Sequence, residues 1–505
     1  MIWSTLLVAA LAAGPRAHPE AEWALYVPKV ANVSTLVPFF TRAGERSVLL
    51  RSASWREDVH PLLSIDLGRP EDFTRAGIDL NGSVTVSARD YHTFTCVQLD
   101  APERYEKLCQ QRLATLGKPF REVGKDGVVR AGAKDTLERV LAGYVLKGRE
   151  SCAIRGKGRN VDAKFDEAAK LMGKNSASPM FKLGEGLPGP AVLVSKQGAL
   201  ALRGGELSLT LEGKTRGFLT DGLLGSGPSP FAFSNPDGLS VFKFRGDRKK
   251  LDGATDTVVR TLMQVCLACE KPLLDEVVRG LLPQLGGNAL AYLREVQVKG
   301  SLRSMGGRYF SVKNVLVADV LDEKAARAAI APLGKVMGVK PLANGEGWTV
   351  AMRDGEIRFG VRGKFLYVGN DDKTIETALR SAAKGEGTQT HGMEMRLDPR
   401  KLARALAQIP LLEAIGNQEL QGLVVVAGEL GPLLLSSERI YGWGDPTGAD
   451  TTRGRLEWTL LPPPVADGGV PDGGWPDGGM PDGGWGDGGE PDGGWPDGGA
   501  PDGGR

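Results

Sequence analysis

Residues Trp348–Ala382 read WTVAMRDGEIRFGVRGKFLYVGNDDKTIETALRSA, and this stretch decides the fold class. Trp348, Val350 and Met352 alternate with other residues as far as Asp354-Gly355, a dipeptide suited to a tight hairpin turn. Ile357, Phe359 and Val361 then alternate with Arg358, Gly360 and Arg362. Gly363 turns the chain again, and Phe365–Val368 runs apolar. Asn370 or Asp371 can cap a following helix whose apolar residues Ile375, Ala378, Leu379 and Ala382 fall at i, i+3, i+4 and i+7. Gly385 ends it. Three short strands and an amphipathic helix must bury their apolar faces against each other, so the unit is structural and carries no reactive constellation.

Upstream, the same order recurs. Trp23–Val27 reads as a strand and Val33–Ala43 as a helix closed by Gly44. Leu62–Leu67, Ser83–Ala88 and Tyr91–Leu99 read as strands, with Asn81-Gly82 as a turn. Asp100 and Glu103 suggest a capping box with Pro102 in the first turn, opening a helix to about Leu116. Its inward residues are Tyr105, Leu108 and Cys109. Asp126-Gly127 turns the chain into Val128–Ala131. Val140–Leu146 and Ser151–Ile154 are strands joined at Lys147-Gly148, and a helix places Phe165, Ala168, Ala169 and Met172 on one stripe. In the second copy, Arg308–Leu321 is a strand and Asp322–Leu333 a helix. Asp100 matches Asp322 at an offset of 222, and Lys147-Gly148 matches Arg362-Gly363 at 215. The reading is an α+β fold, a mainly antiparallel sheet packed with helices. It is built from two similar β-α-β-β-β-α units plus a partial third.

Between these units, Ala191–Ser195, Ala199–Arg203 and Leu207–Leu211 form a strand meander, Gly222–Asp237 a loop, Val241–Arg245 a strand, and about Asp256 to Leu282 a helical region. The partial third unit comprises strand Met393–Leu397, a helix from Asp398 to about Ile415, and strands Gly422–Ala427, Leu433–Ser437 and Arg455–Leu461. Ile2–Ala13 is mostly apolar and too short to span a bilayer, with Ala10-Leu11-Ala12 near its end and Gly14-Pro15 after it, as in a signal peptide. From Ala466 the chain repeats Pro-Asp-Gly-Gly-X, a disordered Gly/Asp-rich tail of transient turns. The expected division is a signal peptide at 1–17, a first unit at 18–180, and a linking meander and helical region at 181–290. A second unit with the C-terminal half-unit follows at 291–465, and then the tail at 466–505.

The chain has 505 residues and a net charge of +2, but the tail carries −8, which leaves +10 on residues 1–465. No basic helix or aromatic RNA-binding signature accompanies that charge, so nucleic acid is not an expected partner. No later segment is long and apolar enough to be a membrane span. The five cysteines, Cys96, Cys109, Cys152, Cys266 and Cys269, suit two disulfides and one free thiol in an exported protein. Cys96 and Cys109 lie on inward faces of a consecutive strand and helix, and Cys152 is the rival partner. Cys266-Leu267-Ala268-Cys269 is a C-x-x-C inside an apolar helical stretch, a possible redox pair without the strand-to-helix context of a thioredoxin-like site.

His18, His60, His92 and His391 form no metal-ligating spacing, and there is no nucleophile elbow, phosphate loop or dinucleotide fingerprint. No catalytic residue, cofactor or metal is therefore assigned. Lys243–Lys250 and Lys147–Lys164 are basic runs able to meet an anionic glycan or lipid headgroup, or simply to be solvated. The tail's evenly spaced Asp match neither the EF-hand nor the nonapeptide calcium repeat, and its Trp at ten-residue spacing suit stacking on sugars or cationic polymers, while a plain flexible spacer is the favoured reading.

Ala24-Leu25-Tyr26-Val27, Gly77-Ile78-Asp79-Leu80, Phe365-Leu366-Tyr367-Val368-Gly369 and Arg396-Leu397-Asp398-Pro399-Arg400-Lys401-Leu402 resemble an exported bacterial family catalogued as a domain of unknown function. The resemblance spans about residues 20–460 and excludes the cysteines and the tail. It implies export and an α+β fold and supplies no catalytic residues. The expectation is a non-enzymatic periplasmic or extracellular protein binding envelope lipid, glycan or protein. The alternatives are an exported hydrolase-like enzyme with scattered Asp, Glu and Lys, or a C-x-x-C redox protein.

Overall fold

Residues 348–382 fold as their periodicity requires. Strands Gly347–Met352, Gly355–Arg362 and Phe365–Gly369 precede helix Asp372–Ala383. Asp371 caps the helix, its Oδ2 accepting the Thr374 N–H at 2.9 Å. Gly363 makes the second turn with φ +57°, a conformation that a side chain resists. The computed structural model describes residues 20–47, 50–51, 59–66, 69–156, 158–172, 179–216, 224–225, 238–253, 255–256, 258–259, 270–298, 310–336, 338–352, 355–383, 390–408, 418–448 and 451–462. The expected signal peptide, His18, Cys266, Cys269, Gly385 and the repeat tail lie outside the described residues, as does nearly all of the Gly222–Asp237 loop.

Among the described residues, twenty strands form one sheet. The first ten are β1 (Trp23–Val27), β2 (Val84–Arg89), β3 (His92–Gln98), β4 (Lys118–Val123) and β5 (Val129–Lys134), then β6 (Val140–Lys147), β7 (Glu150–Gly156), β8 (Ala191–Ser195), β9 (Gly198–Gly204) and β10 (Ser208–Arg216). The next are β11 (Ser240–Arg245), β12 (Leu285–Val298), β13 (Phe310–Val320), β14 (Val339–Pro341) and β15 (Gly347–Met352). Last come β16 (Gly355–Arg362), β17 (Phe365–Gly369), β18 (Met393–Leu397), β19 (Ser437–Pro446) and β20 (Thr451–Leu460).

Every pairing is antiparallel. Across the first ten, the spatial order is β4-β5-β6-β7-β3-β2-β1-β8-β9-β10. Across the second ten it is β14-β15-β16-β17-β13-β12-β11-β18-β19-β20. The second order is the first with ten added to each number. β10 pairs β20 over Ser208–Arg216 and joins the two sets, with Glu212 accepting from Arg453 Nε at 2.8 Å across this seam. The outer strands β4 and β14 carry Pro119 and Pro341, each preceded by a lysine. A proline cannot donate to a ladder and a lysine resists desolvation, so both edges are poor templates for a further strand.

Helices cover both faces. They are α1 (Val37–Gly44), α2 (Pro70–Arg75), α3 (Pro102–Leu116), α4 (Phe165–Leu171), α5 (Pro179–Gly184) and α6 (Arg248–Asp252). Then come α7 (Lys271–Leu281), α8 (Glu323–Ile330), α9 (Asp372–Ala383), α10 (Pro399–Leu406) and α11 (Gln418–Leu435). α3 buries Tyr105, Cys109 and Leu113 with Val97 and Ala153 on one face of the first half. α4 buries Phe165, Ala168 and Leu171 with Phe94, Cys96 and Cys152 on the other. In the second half, α8 and α9 divide the two faces in the same way, α8 against Val320 and Val361, α9 against Val315, Val317 and Tyr367.

Some local expectations are corrected. Leu62–Leu67 is no strand over its described part, because the N–H groups of Leu62 and Leu63 turn onto His60 Nδ1 at 3.3 and 3.1 Å and leave no ladder. Asp100 does not cap α3; the N-cap is Ala101, with no side-chain cap bond, although Pro102 does begin the helix. Gly422–Ala427 and most of Leu433–Ser437 belong to the eighteen-residue helix α11, not to strands. Its continuous apolar run shows no period that would separate a helix from a strand. Val33–Ala43 is split between a 3-10 helix at Val30–Thr35 and α1.

Candidate functional site

The first half encloses an apolar cavity of about 310 Å³, at the lower end of the range for small-molecule sites. Its floor is one sheet face: Leu25 and Val27 of β1, directly opposite Val86 and Val84 of β2, with Ala191 of β8 and Leu202 of β9. Period-two alternation puts all six on one side. The other side of β1 sends Ala24 and Tyr26 into a separate cluster with Phe181 of α5 and Val194. The roof comes from the long β1–β2 connection: Val30, Val33, Leu36, Phe40, Val59 and Phe73. Trp23 stands at the rim, 38% exposed.

Roof and floor meet closely at Gly204, at the end of β9. A Cβ there would lie 2.9 Å from both Leu36 Cα and Thr35 O, so only glycine lets the 3-10 turn settle onto the sheet. Among the described residues, no ionisable side chain lines the cavity. Its described lining is chemically suited to take up hydrocarbon.

Ionisable groups gather elsewhere. Lys243 of β11 is directly opposite Glu394 of β18, which is opposite Trp443 of β19. His391 stacks on Trp443 with centroids 4.2 Å apart, and its Nδ1 is 2.6 Å from Asp445 Oδ2. The Gly392 N–H donates to Asp445 Oδ1 at 2.8 Å, fixing the carboxylate. Lys243 is fully buried, and desolvation lowers its pKa to about 8 despite the Glu394 carboxylate nearby. Sequence reading noted Lys243 and His391 singly; their juxtaposition depends on strand pairing that no motif records.

The cysteines resolve against one of the two expected partners. Cys96 bonds to Cys152, its direct neighbour across β3 and β7, with Cα atoms 4.0 Å apart. Cys109 is a free, buried thiol. It lies with α3 on the opposite face of the sheet from Cys96, which excludes that pairing. Desolvation pushes its thiol well above the ordinary range, so it is not a nucleophile. Among the described residues, no group of three or more His, Cys, Asp and Glu side chains is placed to hold a metal ion. No helix among them is long and apolar enough to cross a membrane, a statement that does not extend to strands.

No family model matches the chain. No curated protein matches it either. A solved structure described as "Structure of crystal form I of TP0453" aligns over 72% of this chain and 94% of its own, at 10% identity and a TM-score of 0.19. That score is below what a shared fold produces, and nothing about this chain follows from it.

Proposed function

We propose that this is an exported, non-enzymatic binding protein that holds the hydrocarbon chain of an envelope amphiphile in the cavity beneath the β1–β2 connection. One observation carries the reading: a cavity of about 310 Å³ whose described lining is apolar throughout, with an exposed tryptophan at its rim. A preformed apolar site of this kind binds by removing a chain's surface from water, worth about 0.8 kcal/mol per methylene. The Cys96–Cys152 bond is compatible with an oxidising compartment. Export and membership of the resembled family belong to the proposal.

The shared pairing order of β1–β10 and β11–β20 supports an internal duplication. In that reading the unit is ten strands long, and β18–β20 take the places of β8–β10 instead of forming a partial third unit. Lys118-Pro119 and Lys340-Pro341, on the two edge strands, are 222 residues apart, the offset that separates Asp100 from Asp322.

The experiment is calorimetric titration of the full chain with dodecanoate and with dodecanol, repeated on Val86→Trp and Ala191→Trp. Binding of both ligands by the parent, weakened at least tenfold in the two filled variants with circular dichroism unchanged, is the expected result. Parent protein that binds neither chain, or filled variants that bind as well as the parent, would overturn the reading.

A second reading, an exported hydrolase-like enzyme, is favoured by the His391–Asp445 pair beside Lys243 and Glu394. Against it, Lys243 has no exposed surface for a substrate to reach. Ester hydrolysis by the parent that disappears in His391→Ala would move the assignment to this reading.

A further inference from the structure

Exposure falls steeply along the floor of the apolar cavity. Trp23 is 38% exposed, whereas Val27 and the directly opposite Val84 are each 5% exposed, and Val30 of the roof is 2% exposed. The backbone accounts for the difference. After Val27 the chain crosses to the 3-10 helix, where the Val30 N–H donates to the Gly82 carbonyl at 3.1 Å and the Ala31 N–H to the Leu80 carbonyl at 2.9 Å. These bonds fasten the connection to the turn that leads into β2, and they shut the cavity behind Val27, Val30 and Val84. On the β9 side, Leu36 rests on Gly204. The cavity therefore has a mouth at Trp23 and a blind end at Val84. Trp23 and Val27 lie on one strand, so mouth and blind end are about 13 Å apart.

A blind-ended site measures the length of what enters it. An apolar cavity of about 150 Å³ takes one six-carbon ring. The present volume of about 310 Å³ has room for roughly twelve carbons on that scale. Each methylene that finds room leaves water and tightens binding, while those beyond the limit stay at the mouth and contribute little.

We propose that the cavity selects a single alkyl chain of about twelve carbons, which enters methyl end first past Trp23 and stops at Val30 and Val84. The inference rests on the reading of this cavity as a hydrocarbon site and adds the class of amphiphile: single-chain and of medium length. The polar head stays in solvent beside Trp23, whose ring suits a boundary between water and hydrocarbon. Among the described lining residues no charged group meets the head, so selection acts on the chain.

The test is calorimetric titration of the full chain with octanoate, decanoate, dodecanoate, tetradecanoate and hexadecanoate, each below its micellar concentration. We expect affinity to rise about fourfold per added methylene as far as dodecanoate and then to level off, with hexadecanoate no more than about twofold tighter. Val84→Ala removes two carbons from the blind end and should move the break to tetradecanoate. Val84→Phe adds four and should move it to octanoate. Circular dichroism checks that each variant is folded, and either one alone suffices to read the shift. A rise that continues unbroken to hexadecanoate, or a break that stays at dodecanoate in a folded variant, would overturn this inference and leave the hydrocarbon site standing. Failure of every chain to bind the parent would overturn both.

Discussion

His60 and Tyr105 share a 2.9 Å hydrogen bond inside the dry core of the first half, where neither side chain reaches solvent. The tautomer follows from the other ring nitrogen. His60 Nδ1 accepts the Leu62 and Leu63 N–H groups, so Nε2 carries the proton and donates to Tyr105 Oη. Ser151 Oγ lies 3.1 Å from that phenol and donates to the Val145 carbonyl at 2.8 Å, so the phenol proton goes to Ser151. The chain of donors thus runs from the β1–β2 connection through α3 to β6, and it ties the cavity roof to the sheet. It works only with a neutral imidazole, because a cation would place a second proton on Nδ1, against two N–H groups.

The first prediction concerns acid. Desolvation lowers the His60 pKa from 6.5 to about 3. Above pH 6.5 the imidazole is neutral folded and unfolded, and its contribution is complete. Between pH 6.5 and 3 the unfolded chain takes up a proton that the native state refuses, so stability falls as pH falls. By pH 4 the loss is about 3 kcal/mol. His60→Gln, which can still accept and donate, should be less stable than the parent at pH 7 by urea denaturation. That gap should shrink by about 3 kcal/mol at pH 4; a gap independent of pH would refute the assignment.

The second concerns the thiols. Cys96 and Cys152 are 56 residues apart in sequence, and replacing both with alanine should cost roughly 2–4 kcal/mol. Cys109 should resist iodoacetamide in native protein and react only after unfolding. Peptide mapping should find Cys96 linked to Cys152 with Cys109 unlinked, and a Cys96–Cys109 peptide would contradict the fold.

What was legible in the sequence was local. Strands β1, β8 and β18 carry their expected boundaries to the residue, because short alternating runs between turn signals leave little freedom. β12 was missed although Leu290, Tyr292, Val296 and Val298 keep a period of two, since Gly286-Gly287 and Arg294 interrupt the apolar signal. β19 hid its alternation behind Gly442 and Gly444, and α11 presented an apolar run without a period. The cavity was illegible for a different reason. Its walls come from residues 23–40, 59–86 and 191–202, and only strand pairing brings these together.

The third prediction sets two substitutions at the cavity against each other. Ala191→Ile adds carbon to empty apolar space and should raise stability by about 1 kcal/mol while weakening dodecanoate binding. Gly204→Ala forces its Cβ against Leu36 and Thr35, and should lower stability by about 1–3 kcal/mol. Thermal melts of the pair decide the matter; two shifts of the same sign would mean that the roof does not rest where the structure places it.

The last prediction concerns alkali, and its sign is opposite to intuition for a buried cation. Lys243 has its pKa lowered from 10.5 to about 8 by burial. Below pH 8 the ammonium is charged in both states, and the native state bears the cost of desolvating it. Between pH 8 and 10.5 the native lysine gives up its proton while the unfolded one keeps it, so its contribution to stability improves as pH rises. Tyr105 and Cys109, both raised by burial, act the other way in this range, so the parent's own profile is a mixture. Comparison with Lys243→Met isolates the lysine. From pH 8 to pH 10 the parent should therefore gain on the order of 1–2 kcal/mol relative to Lys243→Met in urea titrations. A difference that stays flat would mean that the ammonium is solvated, and would reopen the polar cluster around His391 and Asp445 to substrate.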